Sequence, residues 1–144
     1  MVIKGEIFVL NFKIAVMYSK ITSEILVSVR PEYDYRNSFP SENRFVFKYH
    51  ISIENLGKTP IKILKRKWLI YDLGFGFTEI VGDGVIGLTP ELQFGEKFNY
   101  FSNVQVRSGV GHMSGFYLVK DLLTDATFEI EIPRFSLMSE VLSN

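Results

Sequence analysis

Apolar and polar side chains alternate along residues 45–54, and this alternation constrains the fold more than any other feature. Large apolar side chains occupy every second position: Phe45, Phe47, Tyr49, Ile51 and Ile53. The positions between them are mostly polar: Val46, Lys48, His50, Ser52 and Glu54. A period of two residues is typical of a half-buried β-strand, so one face of this strand must pack on a second layer of the protein.

The same pattern recurs along the rest of the chain. Alternating segments are found at 25–29 and 127–132, and further strand signals cover 61–72, 77–81, 98–102 and 112–119. Glycine- and asparagine-containing turns separate them, and no stretch sustains a helical period of 3.6 residues. We therefore predict one all-β domain, a single antiparallel β-sandwich of the fibronectin type III or immunoglobulin-like kind, with Trp68 in its core.

Composition narrows the functional classes. The 144 residues include 16 basic and 16 acidic side chains, so the formal net charge is zero and does not favour nucleic acid or an anionic membrane as a partner. The chain has no cysteine, which excludes a disulfide, thiolate catalysis and zinc–thiolate sites. Small secreted domains are often stabilised by disulfides, so the absence of cysteine favours a cytoplasmic location. The sequence also shows no apolar run long enough to span a bilayer.

The N-terminal segment, residues 1–16, has two interpretations. The most apolar stretch is 7–17, but Asn11 and Lys13 interrupt it and no small-residue cleavage site follows, so a signal peptide is not expected. The segment is either an additional edge strand, built on Phe8, Leu10 and Phe12, or a translated upstream stretch with Met17 as the true start. On either reading we expect it to contribute little to stability.

Six sequence blocks, in register, resemble the ApaG family. They are an opening strand with an Asn-Leu-Gly turn (44–49 and 55–57), a tryptophan strand (63–72), a glycine-rich loop (82–87 with Pro90), a Gly-Glu turn (95–100), a G-x-M-x-G-x-Y strand (111–117) and a closing P-x-F-x-L (133–137). The resemblance covers about Ile21 to the C-terminus, so we assign 17–144 to an ApaG domain. Two turns depart from the family pattern: Ser108-Gly109 replaces Thr-Pro, and Phe94 replaces a proline-like position.

The resemblance implies a fibronectin-type-III-like sandwich and points to two kinds of function. Bacterial members are linked to cobalt resistance, magnesium efflux and diadenosine tetraphosphate metabolism. Eukaryotic relatives carry the domain in an F-box protein and in a DNA-polymerase-interacting protein, which implies protein binding. The resemblance implies no particular enzymatic activity.

The glycine-rich loop is the candidate ligand site. Gly82, Asp83, Gly84 and Gly87 give the G-x-G-x-x-G spacing of a dinucleotide fingerprint. That fingerprint requires a helix after the last glycine, whereas Leu-Thr-Pro follows here. The negative charge of Asp83 also opposes phosphate binding. We therefore favour a tight turn, in which at least one glycine has a positive φ, over a nucleotide site.

Other chemistry is sparse in the sequence. His50 and His112 lie far apart, and neither a G-x-S-x-G motif nor a paired carboxylate can be placed. We therefore predict no catalytic residue, no metal site, no cofactor and no enzymatic turnover. The basic run at 58–67 is interpreted as a solvated strand face, because nucleic-acid binding would require a larger basic excess.

Apolar residues in loops provide the candidate protein-binding surface. Val85, Ile86 and Leu88 lie in the glycine-rich loop, and Phe75 and Phe77 flank a second glycine turn. Such residues either plug the end of the sandwich or form a binding patch, and those that stay exposed are expected to contact a protein partner. A small-ligand domain for a phosphorylated metabolite or a divalent metal is the alternative.

Overall fold

The computed structural model describes residues 3–10 and 13–140, and it is built almost entirely of β-strands. They are β1 (Ile3–Leu10), β2 (Lys13–Thr22), β3 (Ile25–Tyr33), β4 (Phe45–Asn55), β5 (Ile61–Asp72), β6 (Gly76–Asp83), β7 (Glu91–Leu92), β8 (Lys97–Val106), β9 (Val110–Asp121) and β10 (Thr127–Met138). The only helical element in these ranges is a 3₁₀ turn, Pro40–Glu42. The predicted all-β class is confirmed.

The strands form two antiparallel sheets. The first sheet has the order β1-β2-β3-β4-β8, and the second has β10-β9-β5-β6, with β7 pairing the start of β5. Strand β10 of the second sheet contacts β2 and β3 of the first. This two-layer packing confirms the predicted β-sandwich.

The predicted register of β4 is confirmed. Phe47 is 2% exposed and Ile53 is fully buried, and the other three apolar side chains of that face are also buried. Trp68 is 3% exposed and packs against Tyr49, with ring centroids 5.3 Å apart, and against Phe135. Burying one such side chain stabilises the fold by roughly 1.5–3 kcal/mol, so this face anchors the sandwich.

One residue departs from the alternation of β4. Val46 lies on the outer face but is buried. The chain between β3 and β4 folds back over it: the Asp34 N–H donates to the Val46 carbonyl at 2.9 Å, and the Val46 N–H donates to Ser38 Oγ at 2.8 Å. The outer face of β4 is therefore covered at its N-terminal end.

A buried asparagine explains the turn after β4. The Asn55 side-chain amide donates to the carbonyls of Thr59 at 2.9 Å and Leu92 at 3.0 Å, and its oxygen accepts from the Gly57 N–H at 3.0 Å. With these bonds both the nitrogen and the oxygen of the buried side-chain amide have hydrogen-bond partners. Asn55 thereby ties β4 to β7, a structural role.

The N-terminal segment occupies an edge position. β1 pairs with β2, with Ile7 opposite Val16, and β2 pairs with β3 only from Tyr18 to Thr22. Phe12, part of the proposed strand, lies outside the described residues. None of the described helical residues forms a segment suited to crossing a membrane.

Candidate interaction surface

The glycine-rich loop is a hairpin turn. Val85 and Leu88 exchange backbone hydrogen bonds of 2.8 and 2.9 Å around a two-residue turn. Its central residues, Ile86 and Gly87, have φ of 44° and 77°, both positive as in a type I′ turn. Gly84 also has a positive φ, of 59°. The prediction of a turn with positive-φ glycines and no following helix is confirmed.

Packing accounts for the other glycines of the motif. A Cβ on Gly84 would overlap the Leu88 carbonyl oxygen, and one on Gly82 would lie 2.7 Å from an Arg66 guanidinium nitrogen. Arg66 itself donates to the carbonyls of Asp83 at 2.9 Å and Gly84 at 3.1 Å. The loop therefore points carbonyl oxygens at a cation.

Few loop N–H groups are available for an anion. The Gly84 N–H donates to the Leu64 carbonyl at 2.7 Å, and those of Val85 and Leu88 bond each other's carbonyls. The Asp83 carboxylate is exposed, 4.0 Å from the Lys65 ammonium. A phosphate nest needs free N–H groups and no competing carboxylate, so this geometry favours a structural turn.

The contact of Arg66 with the glycine-rich loop was not predicted from the sequence. Arg66 lies on β5, where antiparallel pairing with β6 sets it opposite Gly82. Only the strand pairing could have revealed this contact. Arg66 is thus an exception to the prediction of a solvated basic face, whereas Lys67 on the same run is about half exposed beside Glu79.

The structure separates the predicted partner-binding residues into two groups. Val85 is fully buried and acts as a plug, whereas Ile86 and Leu88 are 54% and 53% exposed at the hairpin tip. Phe75 and Phe77, 57% and 61% exposed, lie at the opposite end of β6. A strand of this length spans about 26 Å, so the two groups do not form one patch.

Phe77 belongs to a cluster of three aromatic rings on the outer face of the second sheet. Tyr71 pairs with Phe77 of β6 and with His112 of β9. Its ring centroid lies 4.8 Å from that of Phe77 and 4.9 Å from that of His112. Adjacent strands thus set three rings side by side, an arrangement that cross-strand pairing stabilises.

His112 makes the cluster electrically neutral. Its Nδ1 is buried and has no hydrogen-bond partner among the described residues. Burial, reinforced by the positive charge of Arg134, lowers the pKa of His112 below its ordinary value. The imidazole is therefore uncharged at pH 7. The outward orientation of His112 could have been predicted from the sequence. Met113 and Tyr117 are apolar residues that face the core, and His112 alternates with them along β9.

A cation lies over the ring of Phe75, in the turn before β6. The Arg107 guanidinium lies 5.3 Å from the ring centroid of Phe75. Asp72 fixes the turn that carries it, accepting from the N–H groups of Arg107 at 2.8 Å and Ser108 at 3.1 Å. Gly109 follows with φ of 79°, a conformation closed to the proline usual in the family. We name the set Tyr71, Phe75, Phe77, Arg107 and His112 the aromatic surface.

A groove lies on the outer face of the first sheet. Its cavity of about 320 Å³ is lined by the polar side chains of Ser28, Arg30, His50, Ser52 and Asn99 and by Met17 and Tyr100, and most of its exposed surface is apolar. Burial lowers the pKa of His50, and Arg30 adds to this effect. The described residues contain no group of three or more His, Asp or Glu side chains arranged to hold a metal ion.

Comparison with known proteins places the chain in a family. The ApaG domain family model matches residues 35–121. Protein ApaG of Rhodospirillum centenum is 42% identical over 123 residues, which cover 85% of this chain and 94% of that protein. Protein ApaG of Proteus mirabilis is 36% identical, covering 85% of this chain and 98% of the relative.

Solved structures agree with this assignment. A Bordetella pertussis crystal structure assigned to ApaA superposes with a TM-score of 0.77 at 34% identity, covering 81% of this chain and 94% of that one. An X-ray structure of a structural-genomics target gives a TM-score of 0.77 at 30% identity, covering 87% and 94%. The chain belongs to the ApaG family.

Proposed function

We propose that this protein is a non-catalytic interaction domain that binds another protein through its aromatic surface. The observation that carries the proposal is the ring cluster of Tyr71, Phe77 and His112, whose Phe77 is 61% exposed, together with the exposed Phe75 and the Arg107 guanidinium that lies over it. Aromatic and arginine side chains dominate the binding energy of protein interfaces. Large exposed apolar groups on a soluble domain mark such interfaces when they are contiguous.

The rigidity of the support favours binding. Tyr71, Phe77 and His112 stand on three hydrogen-bonded strands, and Asp72 holds the turn that presents Arg107. A pre-ordered surface loses little side-chain entropy when a partner docks. The neutral imidazole of His112 lets the cluster be desolvated without burying a charge.

The surface is suited to binding rather than turnover. Its one general-base candidate, His112, has a buried Nδ1 and is stacked on Tyr71. A catalytic base must reach the proton of a nucleophile or substrate, and the buried Nδ1 of His112 cannot do so. We accordingly propose a protein partner and no reaction, in the cytoplasm, as the cysteine-free composition suggests.

The test is capture of partners from a native lysate with matched surface variants. Phe77→Lys should abolish recovery of a specific protein, whereas Leu123→Lys, at a residue 74% exposed in a distant turn, should retain it. Thermal unfolding must show that both variants keep the wild-type fold. Equal recovery of the partner protein by both folded variants would show that the aromatic surface does not bind it.

A second function, small-ligand binding, is favoured by the groove on the outer face of the first sheet. Arg30 supplies a cation, and the hydroxyls of Ser28 and Ser52 make no hydrogen bond to another described residue. The cavity volume of about 320 Å³ is at the small end of ligand pockets. This site would serve a phosphorylated metabolite, as in the family's proposed link to diadenosine tetraphosphate metabolism.

Ligand-induced stabilisation tests this second function. A ligand at 100 times its Kd stabilises the native state by about 2.7 kcal/mol. Inorganic phosphate, diphosphate, Mg²⁺ and Co²⁺ are the probes, and Arg30→Gln should remove any rise in Tm caused by the anions. If no probe raises Tm, or if Arg30→Gln responds like the wild type, the groove is not the site.

A further inference from the structure

Strand β6 projects from the sandwich as an uncovered edge. It pairs with β5 along its whole length, from Lys65 opposite Asp83 to Asp72 opposite Gly76. Residues 77–81 are exposed on both faces of the strand, so the first sheet does not cover it. The backbone N–H and C=O groups on its outer side are therefore open to another strand.

The opposite edge of the same sheet is protected. β10 carries Pro133, and its pairing with β9 shifts register between Ile132 and Phe135. Thr22 of the first sheet accepts from the Glu131 N–H at 3.3 Å. Proline, bulges and covering side chains are the ordinary defences of edge strands. β6 has no proline and no register shift, so it lacks the defences seen on β10.

We propose that β6 pairs antiparallel with β6 of a second copy of this chain, joining the two second sheets into one continuous sheet. An edge strand is self-complementary under a two-fold axis, as an isologous dimer requires. The formal net charge of zero means that no long-range repulsion opposes the approach of two copies.

Charge excludes the registers centred on Glu79 and Val81, and the register centred on Ile80 pairs more of β6 than the one centred on Thr78. A two-fold axis perpendicular to the sheet must lie midway between one residue and its own symmetry mate if side chains of the same face are to meet. We call this an axis through that residue. An axis through Glu79 sets two glutamates opposite each other. An axis through Val81 sets Glu79 opposite Asp83 of the second copy. An axis through Ile80 instead sets Glu79 opposite Val81, and Phe77 opposite Asp83.

The register centred on Ile80 is therefore the one of these three without opposed like charges, which destabilise cross-strand pairs. It brings Ile80, 43% exposed in the single chain, against its own symmetry mate. The pairing buries this apolar side chain and satisfies the backbone groups of the edge. The pairing shares Phe77 with the aromatic surface but does not depend on the protein-binding role of that surface.

Charge exchange at Ile80 tests the dimer and its register. Sedimentation velocity of the full chain at rising concentration should show a monomer–dimer equilibrium. Ile80→Lys and Ile80→Glu should each weaken the dimer at least about tenfold in Kd, since like charges would face each other. An equal mixture of the two variants should recover the dimer as a heterodimer.

Two further variants keep the test decisive. Val81→Glu sets a glutamate opposite Glu79 of the second copy and should also weaken the dimer. Phe101→Lys, at a residue 60% exposed on β8, should leave it intact. A wild-type chain that stays monomeric at millimolar concentration would overturn the proposal, as would a dimer indifferent to the Ile80 and Val81 variants or a mixture that stays monomeric.

Discussion

Ile86 is held with a φ of 44° at the tip of the glycine-rich hairpin, where its side chain is 54% exposed. A β-branched residue in the left-handed region is a steric outlier that costs about 1–2 kcal/mol. Asparagine or glycine is the usual residue at this position of a type I′ turn. Local stability therefore does not explain why isoleucine occupies this position.

Replacing Ile86 with asparagine should stabilise the protein. Relief of the backbone strain is expected to raise the free energy of unfolding by about 1 kcal/mol, measured by urea denaturation. Leu88→Asn is the control, because Leu88 is equally exposed on the same hairpin. An unchanged or lower stability for Ile86→Asn would show that the turn carries no such strain.

His112 should make stability depend on pH. Its pKa in the folded protein is lowered from 6.5 by burial, with a contribution from Arg134. A lowered folded pKa means that the stabilisation is fully present above pH 6.5 and is lost as the pH falls toward the folded pKa. The free energy of unfolding should therefore fall between pH 7 and pH 5.

His112→Phe keeps an aromatic ring and removes the titration, so part of that fall should disappear. His50, whose pKa is also lowered by burial, contributes the remainder, and His50→Phe provides the comparison. Carboxyl groups such as Asp34, whose pKa the Asn37 side chain holds below its usual value, act at lower pH. A His112→Phe profile identical to the wild type would contradict this assignment.

At the scale of elements, alternation alone predicted β4, because it has one face on the core and one outside. In β5 the buried positions change from odd to even numbers after the register shift between Ile63 and Lys65, so alternation holds only on either side of that shift. The cluster of Tyr71, Phe77 and His112 could not be predicted, since three separate strands bring these rings together. For the same reason the contact of Arg66 with the glycine-rich loop was missed. Single-strand patterns fix which way a residue points, whereas sites depend on pairing between strands.

Deletion of β1 tests how much an edge strand contributes to stability. Deleting residues 1–16 should leave Tm nearly unchanged, because β1 pairs with β2 alone and the deletion spares Tyr18, which packs against Phe135. A deletion of residues 1–18 is the contrasting variant and should lower Tm, since it removes that contact. A large fall in Tm for the shorter deletion would show that β1 is an integral strand of the sandwich.

At the scale of the whole molecule, the sandwich serves as a rigid frame whose two ends and outer faces differ. One end is plugged by Val85, and the outer face of the second sheet carries the rings of Tyr71, Phe77 and His112. Family membership agrees with this fold, and the exposed rings are the basis of the proposed protein-binding role. A binding module of this kind needs one pre-formed surface and no reactive group.

Site-specific photo-crosslinking in cells tests the protein-binding claim most directly. A photoreactive phenylalanine analogue at Phe77 should give a discrete adduct whose second protein, identified by mass spectrometry, differs from this chain. The same analogue at Leu123 should give none. The absence of an adduct at position 77, adducts only to a second copy of this chain, or equal adducts at both positions would contradict the proposed function.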